Sequence, residues 1–375
     1  MRGAWTVTAM IFLASCRRTP APQDTPPDVS RDAVAIQALD AGESTDAEPP
    51  ADAEARADAD AEDARTGASD PMLLHRESRE ELLALFDIRS MTPAEKRRIL
   101  PDRFLRSVIG AEGPHHMNQG NKAIASHLIS REQCLAGLRD ITIQTAGQRE
   151  TCGAENMVPI WKKGKAPWFC IDVFEFPNKP CELPFVWTAP TSAKKVCELQ
   201  GKRLCSDIEW NMACRGDPDG GEDSRYAYGA RLDLDVCNDQ KGHIRPCIVR
   251  DSQTAWATCA TETEPSGSYP RCRSRFGVFD QHGNVAEVMM RRQGEQVVTQ
   301  LKGSAWYYDE LAKEPNEPTP ASTPNKQGAY PDHCNFDPRW HVEPIESAYH
   351  VNYHLGFRCC KSVNPGNSAK ERHGG

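Results

Sequence analysis

The chain has 375 residues, 39% of them apolar, and fifteen cysteines, enough for two or three domains. Its net charge of −8 is concentrated: residues 24–64 hold thirteen acids and two bases (Arg31, Arg56), so the remainder sums to about +3. That balance excludes a strongly basic nucleic-acid binder. The absence of an 18-residue apolar run excludes a polytopic membrane protein, and the cysteine count argues against a reducing compartment.

Met1 to Cys16 reads as a secretory signal: Arg2 precedes an apolar stretch of about ten residues, too short to span a bilayer. It ends in Leu13-Ala14-Ser15-Cys16, which resembles a bacterial lipobox. Cleavage there would remove residues 1–15 and leave Cys16 as a lipidated N-terminus. The remaining fourteen cysteines are an even number, able to pair into seven disulfides. By resemblance to Gram-negative sorting rules, Arg17 in place of Asp favours the outer membrane. The expectation is a protein held to the membrane through lipid chains and facing the periplasm or the cell surface.

Residues 16–70 are rich in Pro, Ala, Asp and Glu and poor in large apolar residues. Such a segment cannot offset the entropy of ordering, so a disordered, extended tether is expected. Residues 71–150 read as helical. Leu82, Leu83, Leu85 and Phe86 share one helix face. Thr92-Pro93-Ala94-Glu95 is a capping box with Pro at the first helical position, in a helix that Pro101 ends. Lys96-Arg97-Arg98 reads as a solvated face, and His115-His116 lacks a partnered metal motif.

From Cys152 onward the composition turns to Trp, Cys, Gly and Pro with short strands. Residues 167–175 alternate as a strand does. Ser192 to Leu199 reads as a helix closed by Gly201. Ser206-Asp207-Ile208-Glu209 is a capping box that opens a helix carrying Trp210 and Cys214 and stopping at Gly216.

Four stretches, in order, resemble the formylglycine-generating enzyme, or sulfatase-modifying-factor, family. They are Ala193 to Gly216 (with Gly201-Lys-Arg-Leu-Cys-Ser-Asp-Ile-Glu-Trp210), Tyr226-Ala-Tyr-Gly229, Gly267-Ser-Tyr-Pro270 with Phe276 to Glu287, and Gly303-Ser304 with Leu355-Gly-Phe-Arg-Cys359. The resemblance implies an α+β, C-type-lectin-like fold, irregular and disulfide-rich, over residues 151–363, followed by a disordered tail at 364–375. It also implies a catalytic copper held by two cysteines, a pairing suited to a soft ion. Here Tyr307 and Ala312 stand at those positions, and neither ligates copper as a thiolate. The family's Trp-Glu-Trp is reduced to Ala286-Glu287-Val288. The expectation is therefore a non-catalytic binding or structural module, with an unknown protein or glycan as ligand and no copper. The alternative is an oxidase of the formylglycine-generating type or a non-haem iron oxidoreductase. The iron reading would draw on His333, His341, His350 and His354 with Asp332, Asp337 and Glu343. No hydrolase, Walker or dinucleotide motif occurs.

The resemblance further implies two disulfides, Cys197–Cys359 and Cys214–Cys334. Cys359 and Cys360 are neighbours with α-carbons about 3.8 Å apart, closer than ordinary disulfide geometry, and should find separate partners. Finally, Asp280-Gln-His-Gly283-Asn-Val285-Ala-Glu287 resembles a family calcium loop. The implied ligands of a structural calcium are the Asp280 and Glu287 carboxylates and the Gly283 and Val285 carbonyls. His282 is expected to point away, and a second family site would start at Asn238.

Overall fold

The computed structural model describes residues 74–86, 103–239, 246–306, 333–338 and 341–363. The signal segment with Cys16, the acidic tract, the helix expected at Thr92, the positions Tyr307 and Ala312, and the tail at 364–375 lie outside the described residues.

Four short helices come first: α1 (Arg79–Ala84), α2 (Arg103–Val108), α3 (Arg131–Leu138) and α4 (Ala146–Cys152). Ser130 with Gln133 and Thr145 with Gln148 form reciprocal capping boxes at α3 and α4, each satisfying otherwise orphaned backbone donors. Then follow β1 (Met157–Ile160), β2 (Phe169–Asp172), α5 (Pro190–Leu199), β3 (Arg203–Leu204), α6 (Asp207–Arg215), α7 (Ser252–Thr258), β4 (Ala286–Gln293), β5 (Gln296–Lys302), β6 (Leu355–Gly356) and β7 (Cys359–Ser362).

The strands form two small sheets. One has the order β1-β2-β7-β3, and the other β5-β4-β6. In the second sheet β4 and β5 are an antiparallel hairpin, while β6 joins β4 in parallel. β2 is the strand expected within 167–175, shorter than expected and buried on both faces where the sequence suggested alternation. The predicted α6 starts where its capping box places it: Ser206 Oγ accepts from Glu209 N, and Glu209 Oε2 accepts from Ser206 N. Arg203 holds the same carboxylate with two N–H groups.

Two apolar cores flank the first sheet. One gathers Phe176, Phe185, Val196, Leu204, Leu355 and Phe357 together with Leu82, Leu83 and Phe86 of the α1 segment and Leu105 of α2. The helical segment thus packs into the same core as α5, β3 and β6. Phe86 meets Phe176 edge-on at 5.3 Å, and Phe176 stacks on Phe357 at 4.6 Å. The other core gathers Ile160, Ile171, Phe174, Trp210, Phe279 and Met289. Buried Glu182 fastens the N-terminal segment further, accepting from Arg76, Gln119 and Arg131.

Seven disulfides join the domain, among them Cys197–Cys359 and Cys214–Cys334. Cys359 and Cys360 do take separate partners, because successive residues of a strand face opposite sides. Cys359 bonds Cys197 in the first core, and Cys360 bonds Cys205 in the second.

Candidate functional site

The loop between α7 and β4 carries the densest chemistry. Asp280 has φ +54°, and Gly283 has φ +73°. A Cβ on Gly283 would lie 2.0 Å from the Asn238 carbonyl oxygen, so the backbone approaches here as only glycine permits. The loop aims two carboxylates inward, Asp280 and Glu287, towards a third, Glu175. All are buried.

One guanidinium faces these acids. Arg358, from the Gly-Phe-Arg-Cys stretch, donates through Nε to both oxygens of Glu287 (2.8 and 2.7 Å) and through Nη2 to Oε1. Trp210 Nε1 donates to Glu287 Oε2 at 2.8 Å. Arg358 also donates to the carbonyls of Asp172, Val173, Phe279 and Asp280. Glu175 Oε1 accepts from Val285 N, and its Oε2 from Asn284 Nδ2 and Ser266 Oγ. Asp280 Oδ2 accepts from Gly267 N at 2.7 Å. Burial pushes the Asp280 carboxyl up to about 7. Burial, and then Asp280 and Glu287 as neighbours, hold Glu175 well above the usual carboxylate range.

The residues expected to hold calcium, Asp280, Gly283, Val285 and Glu287, lie in this stretch, and the Glu287 carboxylate also accepts from Arg358 and Trp210. Asn238, where a second site would start, donates its amide to the Glu262 carbonyl and to Asn284 Oδ1.

His282 points away from the acids, as expected, and into the second core. Its Nε2 accepts from Ala227 N at 2.9 Å and lies 3.5 Å from Cys214 Sγ and 3.9 Å from Cys334 Sγ. Tyr226 and Tyr228 set their rings edge-on to it.

Of the histidines weighed for iron only two meet among the described residues. His341 stacks on His350 with ring centroids 4.0 Å apart, His333 packs on Phe336, and His354 on Tyr353. Among the described residues, three potential metal-binding side chains converge at Cys214, His282 and Cys334, where the two sulfurs are already bonded to each other.

A second buried histidine pair went unnoticed in the sequence. His127 Nδ1 bonds the Thr263 carbonyl, which makes Nδ1 the donor and leaves Nε2 to accept. His75 Nε2 therefore donates to His127 Nε2 at 2.9 Å. Burial holds His75 down to about 3 and His127 to about 4.

Residues 176–363 match the family model described as the sulfatase-modifying factor enzyme 1-like domain, and the chain belongs to that family. Its α+β, disulfide-rich architecture is this family's fold. Among solved structures, the chain is similar to "Crystal Structure of CarF" at 14% identity and TM-score 0.30, covering 55% of this chain and 94% of that one. It is also similar to "Major Tropism Determinant P3c Variant" at 12% identity and TM-score 0.27, covering 60% of this chain and 56% of that one. "Major Tropism Determinant U1 Variant" matches at 10% identity and TM-score 0.25, over 57% and 54% respectively. The chain therefore spans about half the length of the tropism determinants. No curated protein matches the chain.

Sequence alone gives Arg358 and Glu175 no role: Arg358 is one residue of the Gly-Phe-Arg-Cys stretch. Glu175 ended a strand and gave no signal, because its partners Val285 and Asn284 are more than a hundred residues away.

Proposed function

We propose that this chain is a lipid-anchored envelope protein whose sulfatase-modifying-factor-like domain serves as a non-catalytic binding or structural module. The observation that carries the reading is the cysteine balance. Seven disulfides use fourteen of the fifteen cysteines, and the one left over is Cys16 of the lipobox-like sequence. An oxidised domain of this kind offers no thiolate pair to a copper ion, and Tyr307 and Ala312 stand where the family places its two cysteines. Lipidation of Cys16 would tether the domain to the outer membrane, with the acidic tract as spacer, and present it to a protein or glycan ligand.

The test has two arms. Mass spectrometry of the N-terminal peptide should find diacylglycerol on Cys16, and Cys16→Ser should leave the signal uncleaved or release the protein from membranes. Purified oxidised domain given copper and a cysteine-containing peptide should consume oxygen no faster than the same copper and peptide without protein. An unmodified Cys16 in a membrane-retained protein would sink the anchoring. Oxygen uptake above that control, with loss of the peptide thiol, would sink the non-catalytic reading.

A further inference from the structure

We propose that Cys214, His282 and Cys334 form a zinc site that reduction of the Cys214–Cys334 disulfide opens. The three side chains come from the last turn of α6, the loop before β4 and the segment at 333–338, and each is at most 1% exposed. Tetrahedral zinc binds thiolate sulfur at about 2.3 Å and imidazole nitrogen at about 2.0–2.1 Å, which sets sulfur and nitrogen roughly 3.6 Å apart. The observed separations from His282 Nε2 are 3.5 Å to Cys214 and 3.9 Å to Cys334. Nitrogen and sulfurs thus already stand at metal-site spacing. Only the two sulfurs, bonded at 2.10 Å, must part, to roughly 3.8 Å for tetrahedral coordination.

The imidazole is set in the right tautomer. Because Ala227 N–H donates to Nε2, the lone pair is on the nitrogen that faces the sulfurs. No ring flip is required; Ala227 gives up one hydrogen bond when the metal arrives. The Tyr226 and Tyr228 rings, with centroids 5.6 and 5.5 Å from that of His282, hold the imidazole in place, as outer groups commonly do for metal-bound histidine. Among the described residues, no other disulfide has a third ligand atom converging on it.

The chemistry balances with a cellular monothiol such as glutathione as reductant. Two glutathione thiols give up two electrons and two protons to the Cys214–Cys334 bond and leave as glutathione disulfide. The two cysteine thiols then lose their protons to solvent as Zn²⁺ binds. Two thiolates neutralise the ion, His282 is the third ligand, and the fourth position is left to water.

The test equilibrates the fully oxidised protein in glutathione redox buffers with and without Zn²⁺, traps free thiols by alkylation and maps them. Zinc should move the Cys214–Cys334 midpoint ~tenfold or more in the glutathione equilibrium towards oxidising buffers, because it binds only the reduced form. The other six disulfides should not move. Cobalt in the same reducing buffer should bind once per chain and give thiolate-to-cobalt absorption. His282→Gln, whose oxidised fold is checked by its disulfide map, should lose the zinc shift. If that variant does not fold, the Cys214→Ser/Cys334→Ser protein should bind no cobalt. A midpoint indifferent to zinc, a shift retained by His282→Gln, or cobalt bound without the two cysteines would overturn the proposal.

Discussion

Arg358 and Glu287, 71 positions apart in the chain, form an ion pair with both side chains essentially inaccessible to water. Burying two charges is costly, and their attraction recovers that cost only when the remaining donors and acceptors are satisfied. Here they are: Trp210 completes the carboxylate, and backbone carbonyls take the rest of the guanidinium.

Removing one partner leaves the other charged and buried. Arg358→Met should therefore destabilise the domain by about 3–5 kcal/mol. Glu287→Gln should cost less, since it keeps an acceptor for Trp210. The double variant should recover part of the Arg358→Met loss, read from urea unfolding as a double-mutant cycle. Melting temperature should be indifferent to chelator in the parent protein. A chelator-dependent drop of several degrees would show that a metal, and not Arg358, neutralises the loop.

The His75–His127 pair makes a pH prediction. Both imidazoles titrate lower in the folded protein, at about 3 and about 4, than the usual 6.5, so the fold prefers them neutral. Their contribution is fully present above pH 6.5 or so. It is lost as pH falls through the folded values, on the order of 3 kcal/mol for His127. Denaturation midpoints from pH 7 down to pH 4 should fall in the parent and flatten in His127→Gln. An equal slope in both would remove the pair from the account. Because His75 lies on the α1 segment, limited proteolysis near residue 74 should increase over the same interval.

Gly283→Ala tests the tight loop. The substitution meets both a left-handed backbone and the Asn238 carbonyl at 2.0 Å. Strain of this kind costs about 1–3 kcal/mol before the clash is counted. The oxidised variant should unfold at lower urea than the parent, whereas Gly294→Ala, in the β4–β5 turn with no neighbouring atom within 4 Å, should lose less. Equal losses would mean that close approach at Gly283 has no weight.

What could be read from sequence was local or carried by the family. The α6 start was legible because Ser206 and Glu209 are three residues apart and bond each other. The separate partners of Cys359 and Cys360 followed from backbone spacing. The acid–guanidinium cluster was hidden, because its members come from three distant stretches and only folding sets one cation against three carboxylates. The loop pattern lists oxygens but not which donors reach them, so the Arg358 pairing of Glu287 gave no sign of itself. The apolar face of the helical segment at 71–150, Leu82, Leu83 and Phe86, does not say in sequence what it packs against. Its partners, Phe176 and Phe357, lie some ninety and 270 residues further on.

The adjacent pair Cys359-Cys360 fixes an order of events during biosynthesis. Their partners, Cys197 and Cys205, precede them by 162 and 155 residues, so these two bridges cannot close until almost the whole domain has been made. Until then Cys197 and Cys205 wait as two reduced thiols eight residues apart, open to pairing with the wrong sulfur. A chain ending before residue 359 would keep that liability permanently. Quality control that recognises unpaired thiols would then read the completeness of this protein from its last strand.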